Sequence, residues 1–141
     1  MNEMNSERLE IWFEVWKKLR NGEKLNRAEK HLKKIIDMHP QFHKTLNDRK
    51  SYDSMPAKDD PFTHLGFHSI VMDMIINNDP QGIRSVYDKA VNRKKDKHAV
   101  QHQVMRATFD WMVEYQRNHP DSPVFIDNTL LDAIRTKLES F

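Results

Sequence analysis

Apolar positions recur at three- and four-residue spacing along most of the chain, and polar capping residues punctuate the runs. Leu9, Trp12, Phe13, Trp16 and Leu19 form a stripe that predicts a helix over residues 6–20, with Ser6 as its cap and Asn21-Gly22 as its stop. Asn26 and Glu29 then make a capping-box start, and Ala28, Leu32, Ile35 and Ile36 line one face of a second helix. That helix must end or kink near His39, because Pro40 disfavours helical geometry in the residue before it. Residues 40–46 suggest a short extra turn with Pro40 at its first position. Residues 47–60 carry little apolar pattern and are expected to be the main loop. Asp60-Pro61 opens a third helix reaching about residue 76, and Asp79-Pro80 repeats the device for a fourth, reaching about residue 92, with Ile83, Val86, Tyr87 and Ala90 inward. Asp96 caps a fifth helix that His119-Pro120 ends, and a terminal helix over residues 128–139 buries Leu130, Leu131, Ile134 and Leu138. The expected fold is all-α: a single domain over 1–141, a bundle of about five main helices plus a terminal one. If the short fourth helix runs antiparallel to its neighbours, helices three and five are parallel.

Composition agrees. The 141 residues include only three glycines, and β-branched runs are nearly absent, which favours helices over a turn-rich β fold. Cysteine is absent, so disulfides, thiolate metal sites and cysteine nucleophiles are excluded. Lys and Arg number 23 against 21 Asp and Glu, a net charge of +2 that argues against a dedicated nucleic-acid binder. No apolar run approaches the roughly 18 residues of a membrane span. Residues 1–20 mix charges into their apolar positions, unlike a signal peptide, and a soluble, cytoplasmic protein is expected.

Histidine carries the candidate chemistry. His39/His43, His64/His68 and His98/His102 are each four residues apart, where about 0.4 such pairs would arise by chance from eight histidines. Residues four apart lie one above the other on a helix, the geometry by which two imidazoles grip one ion. At about 100° per residue, His64 and His68 share a face with Val71 and Ile75, and His98 and His102 continue into Met105, Phe109 and Met112. Both pairs therefore point inward from the first turns of their helices, where the helix dipole keeps imidazole neutral. His39 and His43 stand where the second helix ends, so all six histidines are expected at one end of the bundle. Gly66, between His64 and His68, suggests close approach of another backbone or room for a ligand. The alternative is a buried histidine network with a purely structural role.

Stronger templates are missing. His-Glu-x-x-His does not occur, and no Glu stands three residues before a His, unlike ferritin-like di-iron proteins. Asp60 is better explained as a helix cap, and Asp73 falls opposite the histidine face. Met72, Met74, Met105 and Met112 fit core positions, with haem ligation a remote alternative. Trp12, Trp16 and Trp111 suit core or interface anchors. Arg93-Lys94-Lys95-Asp96-Lys97 suits a solvated linker.

Several of these segments taken in order have a family likeness. Ile36-Asp37-Met38-His39-Pro40-Gln41-Phe42-His43, Asp60-Pro61-Phe62-Thr63-His64-Leu65-Gly66-Phe67-His68, Pro80-Gln81-Gly82-Ile83-Arg84, His98-Ala99-Val100-Gln101-His102 and Tyr115-Gln116-Arg117 resemble the bacterial family catalogued as domain of unknown function 1841. The resemblance covers nearly the whole chain and implies a small bacterial protein without an assigned activity. It also implies acidic residues where this chain has Gln101 and Arg106, and Asn-Pro-Phe where it has Asp60-Pro61-Phe62. Arg106 stands four residues after His102, where a carboxylate would complete a metal shell. This departure argues against an oxygen-bridged di-metal centre and leaves either a mononuclear, all-imidazole site or no metal at all.

Three functions are therefore weighed. The first is binding of one zinc, iron, nickel or copper ion by His64, His68, His98 and His102 with His39 or His43, supporting metal-dependent hydrolysis or redox chemistry. The second is a non-enzymatic module whose histidines are structural and whose first helix, bearing Trp12 and Trp16, docks a protein partner. Nucleic-acid binding through Arg93 to Lys97 is the least supported.

Overall fold

Residues 3–53, 61–124 and 126–141 are described by the computed structural model, and every regular element among them is helical. They are α1 (Glu3–Arg20), α2 (Arg27–Asp37), a 3-10 turn (Pro40–Phe42), α3 (His43–Asn47), α4 (Arg49–Asp53), α5 (Pro61–Asn77), α6 (Ile83–Lys94), α7 (Lys97–Asn118) and α8 (Asn128–Glu139). None of these helices is long and apolar enough to cross a membrane. The chain divides into two compact units, Met1–Ser69 and Ile70–Phe141, and the division falls within α5.

In the first unit the sequence signals act as local chemistry dictates. Gly22, at φ +68°, closes α1: its N–H donates to the Leu19 carbonyl and that of Glu23 to the Lys18 carbonyl, the paired bonds of a left-handed helix stop. The Asn26 side chain accepts from the Glu29 N–H, and the Glu29 carboxylate accepts from the Asn26 N–H, which starts α2. Trp12, Val15, Ile35, Ile36, Leu46 and Leu65 are buried.

Two expectations need correction here. Ser6 is not a cap, because α1 already begins at Glu3 and nothing between these residues breaks a helix. The expected loop over 47–60 contains α4. Its Tyr52 is 7% exposed and packs edge-on against Phe13 and Phe62, at ring centroid separations of 5.8 and 4.9 Å. Arg49 adds an ion pair to Glu10 and lies over the Phe13 ring. Aromatic burial with partners distant in sequence thus orders a segment whose own composition is polar. Pro61 is the first residue of α5, while Asp60, expected as its cap, lies outside the described residues.

The second unit is built on α6, α7 and α8 with the end of α5. Val71, Met74, Ile75, Ile83, Tyr87, Ala90, Val100, Val104, Met105, Trp111, Leu130, Ile134 and Leu138 are buried. Asp96 and Asp127 cap α7 and α8 through their side chains. The Asp79-Pro80 device is not repeated: Asp79-Pro80 is a cis peptide and α6 begins only at Ile83, after Gly82 at φ +104°. Asn78 takes over the cap. Its Oδ1 accepts the N–H groups of Gly82 and Arg84, both at 3.1 Å, and its own left-handed φ of +52° ends α5. Phe109 also departs from expectation, being 56% exposed. The buried stripe of α7 runs through Val100, Gln101, Val104, Met105, Thr108 and Trp111, so Phe109 falls off its edge. Arg93 of the basic run donates to the Leu138 carbonyl at the end of α8, a structural use that accounts for one of its cations.

The Glu29 carboxyl is held below the usual carboxylate range by the Asn26 N–H and the Lys18 ammonium. A lowered folded-state value means that this contribution is complete above the unfolded carboxylate range and vanishes as pH falls through the folded value. Glu29→Gln keeps the cap and removes the charge. It is expected to be less stable than wild type at pH 7 in urea titrations, with the gap narrowing progressively below about pH 4.

Candidate metal centre

The end of α2 orients the first imidazole. His39 is fully buried, and its Nδ1–H donates to the Ile35 carbonyl at 2.7 Å. A carbonyl only accepts, so Nδ1 carries a proton, and in the neutral ring Nε2 then carries the lone pair. That Nε2 lies 2.9 Å from Nε2 of His64, so between neutral rings His64 donates and His39 accepts. The α5 helix continues unbroken from His64 to His68, which is also fully buried, and their ring centroids lie 6.0 Å apart. His39 meets His68 edge to face at 5.0 Å. Within the first unit the ligand atoms of His39, His64 and His68 all lie within 4.8 Å of one another.

The six candidate histidines do not act alike. His43 departs from the expected pair with His39. The 3-10 turn over Pro40–Phe42 interposes between them, and His39, at φ −128° and ψ 62°, is outside helical geometry. The two rings therefore do not stack four residues apart on one helix. His43 instead donates from Nε2 to the Ile36 carbonyl at 2.9 Å and packs on Trp16 at 4.8 Å. His98 and His102 stand in the second unit on the first turns of α7, both half-buried, with ring centroids 4.2 Å apart.

Phe42 escaped the sequence reading. Its ring stacks on His39 at 5.5 Å and lies 5.9 Å from His64, so it forms an apolar wall beside the two nitrogens. The available signal was Pro40, which starts the turn that delivers Phe42 there.

Imidazole nitrogens bound to one ion at about 2.0–2.1 Å lie roughly 2.9–3.4 Å apart for bond angles between about 90° and tetrahedral. The group therefore needs shifts of only about an ångström or two to close on an ion. Neutral nitrogen donors of this kind suit zinc, iron, nickel and copper.

Gly66 does not mark a close backbone approach. Nothing lies within 4 Å of the place a Cβ would occupy, and its φ is not left-handed. Gly66→Ala is expected to stabilise α5 by about 0.5–1 kcal/mol, seen as a raised midpoint in thermal unfolding.

No curated protein and no solved structure matches the chain. A match to one family runs over residues 4–134, across both units. The chain belongs to the family described as domain of unknown function 1841, the one its histidine-bearing segments resemble.

Proposed function

We propose that the protein binds one transition-metal ion through His39, His64 and His68. The observation that carries this reading is the gathering of three imidazoles, two of them fully buried, with the Nε2 lone pair of His39 aimed at His64. Anchoring of His39 on the Ile35 carbonyl is the arrangement metal-ligating histidines commonly use to set tautomer and ring orientation. On binding, His64 would move its proton from Nε2 to Nδ1, so that both facing nitrogens offer lone pairs. An ion with one position left open lowers the pKa of a bound water, and a redox-active ion exchanges electrons. Metal-dependent hydrolysis or redox chemistry is the class of activity we propose.

A second reading draws on the same hydrogen bond. Imidazoles that satisfy one another can form a structural network that needs no ion, in a module that binds a protein partner. Trp12, expected as an anchor for such a partner, is only 5% exposed, which weakens this alternative.

The two separate in one experiment on protein purified without a histidine tag. Elemental analysis is expected to give one metal per chain. An ion at about 100 times its Kd should add about 2.7 kcal/mol to stability and raise the melting temperature. Replacing His64 and His68 together by Ala should abolish that increment. A structural network predicts instead that the double change destabilises equally with and without chelator, because buried partners are left unpaired. Wild-type protein that melts unchanged across added zinc, iron, nickel and copper would end the metal reading.

A further inference from the structure

Between the metal-facing His39 and the first helix lies a chain of contacts that touches no ligand atom of the cluster. The Ile36 carbonyl, among the last of α2, accepts the backbone N–H of His39 at 3.0 Å and the ring Nε2–H of His43 at 2.9 Å. That carbonyl thus ties the His39 backbone to the His43 ring. His43 is held in turn: its ring lies on Trp16, with centroids 4.8 Å apart and planes at 41°. The Trp16 indole N–H donates at 2.7 Å to the Asn47 side chain, which also accepts from Arg20. His43 and Asn47 are the first and last residues of α3. Trp16 of α1 therefore engages both ends of this one-turn helix, one end by ring packing and the other by a hydrogen bond.

We propose that His43, backed by Trp16, is a positioning residue that fixes His39 for metal binding and is not itself a ligand. The proposal rests on the metal reading above. His43 acts through a shared carbonyl. With its N–H in place, the Ile36 carbonyl is fixed in direction, and the His39 backbone that donates to the same oxygen is fixed with it. The His39 ring is then set from two sides, by Ile36 through its backbone and by Ile35 through its Nδ1–H. Loss of the His43 donor frees the Ile36 carbonyl to tilt toward water, as carbonyls at helix ends do. The His39 Nε2 then loses its fixed aim. Supporting groups of this kind typically contribute about 10–100-fold to metal affinity.

Three variants of the full chain test the proposal, with nickel(II) affinity measured by chelator competition, the cobalt(II) visible spectrum recorded, and the metal-free melting temperature measured alongside. His43→Phe keeps a ring on Trp16 but removes the N–H. It is expected to bind about 10–100-fold more weakly and to shift the cobalt bands. His43→Gln places an amide N–H near the position of Nε2 and is expected to restore affinity and bands to near wild type. Trp16→Phe keeps the ring contact, loses the bond to Asn47, and should weaken binding by less than His43→Phe while still taking up one ion. A purely structural role lowers the metal-free melting temperature but leaves affinity and cobalt bands alone, and that result overturns the proposal. Equal weakness of His43→Gln and His43→Phe also overturns it, because a ligand role for His43 predicts that the amide cannot rescue. Should His43→Phe fail to fold, unchanged affinity in Trp16→Phe overturns the proposal by itself. Wild-type protein that takes up none of zinc, iron, nickel, copper and cobalt overturns the metal reading and this proposal together, whereas intact wild-type binding with indifferent variants overturns only the second.

Discussion

The donation from His39 Nδ1–H to the Ile35 carbonyl governs the arrangement around the histidine cluster. The carbonyl has no proton to give, so the ring has one tautomer available while it stays neutral and bonded. Every other polarity follows. Nε2 of His39 must accept, so the facing nitrogen of His64 must donate or else share a cation with it. Burial sharpens the constraint, since an imidazole hidden from water cannot trade a poor partner for solvent. Phe42 adds an apolar face beside both rings, so their nitrogens have few polar alternatives to one another.

Much of the fold was legible because its signals are local. The capping box at Asn26 and Glu29, the stop at Gly22, the side-chain cap of Asp96 and the bounds of α8 all lie within a few residues of the bonds they make. The misses have long-range causes. The α4 segment is polar along its own length, and only Phe13 and Phe62, distant in sequence, make Tyr52 a core residue. The start of α6 was misplaced because Asp79-Pro80 reads as a helix opening, yet Asn78 supplies the acceptor and Gly82 the turn. Phe109 was misassigned by a rotation of one position around α7, an error that face arithmetic allows when the stripe is broad.

At the site, spacing alone was sufficient where the helix is continuous. His64 and His68 keep the register that four-residue spacing implies, and both join the cluster. The same spacing misled at His39 and His43, because it presumes a helix that Pro40 had already interrupted. Pro40 opens a 3-10 turn between the two histidines, so the helical register does not reach His43. Once the chain turns, His39 faces the cluster while His43 faces back onto the carbonyl of Ile36. Family membership, by contrast, was legible from ordered short segments spread along nearly the whole length.

Asn78 closes one helix and opens the next. Its backbone adopts the left-handed geometry that ends α5, while its side-chain oxygen holds the amides of Gly82 and Arg84 at the start of α6. The corner consequently has a fixed chain length. Surface turns ordinarily tolerate added residues, but one inserted between Asn78 and Gly82 would pull both amides away from their shared acceptor. The amide of Gly82, in the turn, and that of Arg84, in the first turn of α6, should surrender their hydrogens to solvent slowly, on the timescale of a helix interior.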